Sequence, residues 1–259
     1  MQMGICNLSV IPVRAETSEK SEMTTQILFG ELLTVNEQKG SWSHVRLVYD
    51  NYEGWVDTKM IIPVDEEVFH SLNYAECGYN RDLIDVIKVV STGQLFPILL
   101  GSSIRNINDK IFSIGNQRYE FEGELSPFPP SPDKNGIMEM AQSLINAPYL
   151  WGGCTPFGID CSGFTQLVFK TNGIKLLRDA SQQATQGEAV TFISEAQAGD
   201  LAFFDNEEGV ITHVGIVMGE GKIIHASGKV RIDKIDHQGI YNEGLKQYSH
   251  KLRLIKRIL

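Results

Sequence analysis

The stretch Asp160-Cys-Ser-Gly-Phe-Thr-Gln-Leu-Val-Phe169 decides how the second half of the chain is read. Phe164, Leu167 and Val168 recur at helical spacing and give this segment one apolar face. Ahead of it, Ile137, Met140, Ala141, Leu144 and Ile145 keep the same period. Downstream the pattern changes to strand-like runs at 200–204, 210–218, 222–226 and 252–258. Helices first and an antiparallel sheet afterwards predict an α+β domain over residues 133–259.

Upstream, residues 127–132 hold four of the nine prolines and read as an extended linker. Residues 1–62 contain four or five short alternating strands and no helical period, which predicts a small β-barrel. Residues 63–126 read as a linker with a short helix, followed by a second small β unit. Its strands are expected at 86–90, 96–101, 110–114 and 118–122. No strict repeat relates the two units.

The 259 residues carry 23 Lys and Arg against 32 Asp and Glu, a net charge of −9. That balance lacks the basic face of a nucleic-acid binder and does not favour an anionic membrane surface. No apolar run approaches the ~20 residues needed to span a bilayer. The N-terminal residues do not read as a secretory signal, so the expected location is cytoplasmic. It would be periplasmic if a signal was removed before residue 1. Cys6, Cys77, Cys154 and Cys161 are too few and too scattered for a disulfide framework.

Cys161 stands at the start of the expected helix, where the helix field favours an anion and should lower the thiol pKa. A nucleophilic cysteine needs that, because the thiolate attacks. A buried, inert cysteine is the alternative for this position. Two histidines add weight. His213 begins one strand and His225 ends the next. A three-residue loop at 219–221 would pair Met218 with Lys222 and Gly215 with His225. The two histidines would then be diagonal neighbours on one face. A two-residue loop would put them on opposite faces. The diagonal arrangement suits a nucleophile, base and orienter: Cys161, His213 and His225. A zinc site made from Cys154, Cys161, His213 and His225 is the competing reading, but it lacks both CxxC and H-x(3–5)-H spacing. His44, His70, His237 and His250 read as surface or packing residues.

Four segments, in order, resemble the successive motifs of the NlpC-type papain-like cysteine peptidases: Pro148-Tyr-Leu-Trp-Gly-Gly153, Gly158-Ile-Asp-Cys-Ser-Gly-Phe164, Gly199-Asp-Leu-Ala-Phe-Phe204 and His213-Val-Gly-Ile216. The resemblance spans about residues 133–259. The upstream β units resemble bacterial SH3-like domains. Residues 21–31 and Tyr52-Glu-Gly-Trp55 are similar to the first such domain of the subgroup that trims murein peptides. The resemblance implies a papain-like domain preceded by two SH3-like barrels. It implies Cys161 as nucleophile, His213 as general base and His225 as third polar residue. It also implies that Tyr149 helps the Cys161 backbone N–H to stabilise an oxyanion.

The implied reaction is hydrolysis of the bond between γ-D-glutamate and a diamino acid, releasing L-Ala-γ-D-Glu, with no metal or organic cofactor. Glu22 and Tyr52, with Asp160 and Ser162, are expected to hold the free amino group of L-Ala, with Glu16, Glu19 and Glu31 as the competing carboxylates. The expected partner is a murein peptide. Lysine or diaminopimelate as the diamino acid, and the oligomeric state, are left open. A general cell-wall lytic endopeptidase, an amidase or acyltransferase on the same scaffold, and a non-catalytic peptide-binding protein are the rival readings.

Overall fold

In the computed structural model, which describes residues 2–128 and 130–259, the chain divides into two units, Met1–Ser131 and Pro132–Leu259. Pro129, part of the expected linker, lies outside the described residues. No helix among the described residues is long and apolar enough to cross a membrane.

The first unit contains a seven-stranded antiparallel sheet. Its spatial order is Met23–Leu28, Val10–Arg14, Glu53–Asp57, Trp42–Leu47, Leu32–Lys39, Gln2–Ile5 and Ile62–Val64. Period-two alternation turns Ile11, Val13, Ile27, Leu33, Val45 and Val56 inward as one core. A four-stranded sheet follows, ordered Leu95–Leu99, Ile84–Val89, Gln117–Phe121 and Ile111–Ile114, together with helix Glu66–Asn73. Ile5 and Leu32 of the first sheet, with Phe29 in the turn between two of its strands, share a core with Phe69, Ile87 and Phe121. The Ser103 N–H donates to the Phe29 carbonyl at 2.8 Å. Gly30 (φ +78°) is required at this seam, because a Cβ there would fall 1.8 Å from the Ser103 carbonyl oxygen.

In the second unit a seven-stranded antiparallel sheet runs Glu188–Val190, Gln247–Arg257, Leu201–Asp205, Ile211–Gly219, Lys222–Ser227, Lys229–Ile235 and Gly239–Asn242. Gln247–Arg257 pairs with both Leu201–Asp205 and Gly239–Asn242, which closes six of the strands into a barrel. Helix Cys161–Thr171 packs on strand Ile211–Gly219 and beside helix Lys134–Ser143. Every residue of helix Cys161–Thr171 is buried, not only the expected apolar face. Its polar side chains are satisfied internally: Thr165 Oγ1 bonds Gln183 Oε1 at 2.7 Å and Gln166 Nε2 donates to the Leu176 carbonyl at 3.1 Å.

Strands Lys229–Ile235 and Gly239–Asn242 were not legible as apolar runs. Arg231, Asp233 and Lys234 interrupt the first, and the second is only four residues long. The last strand begins at Gln247, five residues before the apolar pattern at 252.

Candidate active site

Asp160 has extended backbone geometry and caps helix Cys161–Thr171 by accepting the Gly163 N–H at 2.6 Å. Cys161 is therefore the first helical residue. A Cβ on Gly163 would lie 2.3 Å from the Gly153 carbonyl oxygen, so only glycine lets the 152–154 segment lie against the helix start. Asp160 also accepts the Gly152 N–H at 2.9 Å and both terminal nitrogens of Arg178, at 3.1 and 2.6 Å. Arg178 is 1% exposed and donates again to Ser162 Oγ at 2.9 Å. The sequence reading did not include Arg178. A charged residue in an irregular stretch gives no sign of burial until its partner is known.

The hairpin delivers the diagonal pair by a different turn from the one expected. Glu220 and Gly221 both have positive φ and form a two-residue loop, with Gly219 opposite Lys222. Such a loop alone would slip the register by one. A bulge between Val217 and Gly219 absorbs Met218 and restores Gly215 opposite His225. The expected pairing of Met218 with Lys222 is replaced, and the shared face is kept. His213 Nε2 and His225 Nδ1 lie 2.8 Å apart.

The interaction chain continues beyond the two histidines. His225 Nε2 lies 2.9 Å from Asp233 Oδ2. Arg231 Nη2 donates to Asp233 Oδ1 at 2.7 Å. Arg231 Nε is also 2.7 Å from Oδ2, but its N–H points away from that oxygen, so this second contact is ionic. His250, read from the sequence as a surface or packing residue, stacks on His213 with ring centroids 4.1 Å apart and planes 23° apart.

Cys161 Sγ faces the backbone of the His213 strand, 4.0 Å from the Thr212 carbonyl oxygen. Burial raises the thiol pKa, and the Asp160 charge adds to the effect. The Val214 and Ser162 backbone and the Arg178 charge oppose it, and the outcome is about 11. This corrects the expected lowering: removing the thiol from water outweighs the field of the helix start. Burial, then His250 and His225, holds His213 well below its ordinary value of 6.5. Both shifts favour the uncharged forms, a neutral thiol at Cys161 and a neutral imidazole at His213.

Tyr149 is half-buried, held by its N–H to the Gly228 carbonyl at 3.0 Å and by a bridge to Ile159. Burial first, then the Cys161 and Asp160 charges, pushes its phenol up to about 12, so the hydroxyl remains a donor at neutral pH. Glu22 and Tyr52 belong to the first unit, whereas Asp160 and Ser162 belong to the second. Glu22 is exposed just ahead of strand Met23–Leu28. Tyr52 packs against the barrel core, and its N–H donates to Asp50 Oδ1 at 3.0 Å.

The expected alternative of a zinc site pairs differently here. Among the described residues, His213, His225 and His250 are those whose ligand atoms cluster, within 4.8 Å, without Cys154 or Cys161. Four of the six ring nitrogens are engaged in pairwise contacts: His213 Nε2, both nitrogens of His225, and His250 Nδ1, which lies 2.9 Å from Ser249 Oγ. That differs from lone pairs converging on one ion.

Residues 146–249 match the NlpC/P60 family, and residues 13–61 match the bacterial dipeptidyl-peptidase Sh3 domain. A γ-D-glutamyl-L-lysine dipeptidyl-peptidase of Bacillus subtilis (strain 168) is 30% identical over 246 residues, covering 87% of this chain and 75% of its own length. Dipeptidyl-peptidase 6 of Lysinibacillus sphaericus is 27% identical, covering 86% and 88%. The crystal structure of an NlpC/P60 family protein from Bacillus cereus superposes with a TM-score of 0.84 at 19% identity, over 99% of each chain. That likeness concerns the fold.

Proposed function

This chain belongs to the NlpC/P60 family of cysteine peptidases, and on that premise we propose that it releases L-Ala-γ-D-Glu from short murein peptides by cutting the bond to the diamino acid. What carries this reading is that the likeness to a γ-D-glutamyl-L-lysine dipeptidyl-peptidase extends over 87% of the chain, and that residues 13–61 separately match the bacterial dipeptidyl-peptidase Sh3 domain.

Cys161 is the nucleophile. With the thiol and the imidazole both neutral at rest, the proton leaves Sγ for His213 as sulfur attacks the γ-carbonyl. The Cys161 backbone N–H and the Tyr149 hydroxyl receive the developing oxyanion. His213 then protonates the leaving amine, and water hydrolyses the thioester. His225 keeps the His213 ring oriented.

From the resemblance to the murein-peptide subgroup, Glu22 and Tyr52 are the residues proposed to recognise the free ammonium of L-Ala, and Asp160 and Ser162 those proposed to contact the substrate beside the nucleophile. Such a preference suits recycling of released peptides in the cytoplasm rather than lysis of intact wall, where the alanine amine is blocked. Removing one partner of a desolvated carboxylate–ammonium contact costs about 2–5 kcal/mol, roughly thirtyfold or more in kcat/KM. The test compares L-Ala-γ-D-Glu-L-Lys with its N-acetylated form. Near-loss of cleavage on acetylation is expected. Equal rates on both peptides, or on whole peptidoglycan, would make the protein a general cell-wall endopeptidase.

A further inference from the structure

The geometry assigns Asp233 a part in the reaction: it is the positioning residue that fixes the tautomers of His225 and His213, so that His213 meets the Cys161 thiol with an unprotonated Nδ1. This rests on the reading of Cys161 and His213 as nucleophile and base.

The arrangement comes from register. His225 sits opposite Gly215, and His213 is two residues from Gly215. His225 also sits opposite Arg231, and Asp233 is two residues from Arg231. Two diagonal steps across three neighbouring strands therefore bring His213, His225 and Asp233 together on one face. The contacts at 2.8 and 2.9 Å are these two steps.

The hydrogen atoms follow from the end of the chain. Asp233 is 9% exposed, and burial alone would raise its pKa. The hydrogen bonds and charges of His225 and Arg231 outweigh that and hold the carboxyl below its ordinary range. An ionised carboxylate only accepts, so His225 Nε2 carries a hydrogen. In the neutral ring His225 Nδ1 is then bare and accepts. The hydrogen between the rings must sit on His213 Nε2. That leaves His213 Nδ1 bare, and it is the nitrogen that His225 does not occupy. The strand residues on either side of His213, Thr212 and Val214, present their backbone to Cys161 Sγ. Without Asp233 both His225 tautomers become available. In one of them His225 Nδ1–H donates to His213 Nε2 and places the His213 hydrogen on Nδ1, where it blocks proton uptake from sulfur. His250, stacked on His213, meets His225 only edge-on, with centroids 5.7 Å apart. Arg231 holds the Asp233 carboxylate from the other side.

The direct test is nitrogen-15 NMR of the histidine-labelled full chain at mildly alkaline pH, with His213, His225 and His250 assigned by substitution. The expected pattern is Nε2–H for both His213 and His225. Nδ1–H on either ring, or a doubly protonated His225, overturns the proposal whatever the variants do. In Asp233→Ala, kcat is expected to fall on the order of 10–100-fold with KM nearly unchanged. Cys161 alkylation by iodoacetamide, which needs no substrate binding, should not be lost. Asp233→Asn keeps the shape but offers either an oxygen or an amide, so it should fall between the wild type and Asp233→Ala and show mixed tautomers. Wild-type kcat in a folded Asp233→Ala protein also overturns the proposal. Turnover by Cys161→Ala would instead sink the underlying reading, so the two failures are separable.

Discussion

Gly215 lies directly opposite His225, and a Cβ added to Gly215 would fall 2.8 Å from the His225 Cβ. The same added atom would meet Ile223 Cδ1 at 2.8 Å. Glycine in the His213-Val-Gly-Ile216 segment is therefore a spacing device for the imidazole pair, with no positive φ involved. Gly215→Ala should push His225 off His213, cost about 1–3 kcal/mol of stability, and reduce turnover more than the lost stability explains. Urea unfolding and kcat measured on the same preparation check this. A folded Gly215→Ala protein with wild-type kcat would refute it.

The neutral thiol has a kinetic signature. Iodoacetamide reacts with thiolate, and burial pushes the Cys161 thiol up to about 11. Its alkylation rate should climb with pH through the alkaline range and stay low near neutrality. Peptide mapping after timed alkylation reads this directly. A plateau reached at acidic pH would mean a preformed thiolate–imidazolium pair.

Acid stability follows from the same burial. His213 and His250 have folded-state pKa values below the ordinary 6.5, with His250 at about 4, in both cases mainly through burial. Groups of this kind contribute stability above their unfolded pKa and lose that contribution as pH falls through the window between the two values. The urea midpoint should therefore drop between pH 6.5 and about 4. His250→Asn should flatten part of that slope, and an unchanged slope would argue against a buried neutral His250.

How far the site was legible depends on what each residue needs from its neighbours. Cys161 and His213 sit in local patterns, a helix start and an alternating strand, that can be read from a few residues of sequence. The diagonal with His225 was also legible, but through the wrong turn: nothing local signals that Met218 bulges. Asp233, Arg178 and His250 were not legible. Asp233 points inward from a strand whose charged residues read as surface. Arg178 gains its role only once Asp160 is folded against it. His250 lies in a polar stretch ahead of the apolar part of the last strand. In the first unit the first sheet has seven strands where four or five were expected, and the shared core around Phe29 and Phe121 depends on contacts far apart in sequence.

Arg178 gives a stability prediction. Its removal leaves Asp160, 6% exposed, without the guanidinium that two of its bonds reach. Breaking one partner of a buried pair costs about 3–5 kcal/mol. Arg178→Met should lose that much in urea unfolding. Arg178→Lys should recover only part, since a single ammonium cannot reproduce the fork. Wild-type stability in Arg178→Met would show that the pair is not needed to hold the helix start.

The central claim is that Cys161 cuts the γ-D-glutamyl bond by an acyl-enzyme that water resolves. The most direct measurement is mass spectrometry of products from L-Ala-γ-D-Glu-L-Lys in heavy-oxygen water, with the wild type beside Cys161→Ala. The expected result is L-Ala-γ-D-Glu bearing one heavy oxygen, together with free lysine, from the wild type and neither product from Cys161→Ala. Dipeptide released by Cys161→Ala, or cleavage by the wild type at a different bond, would contradict it.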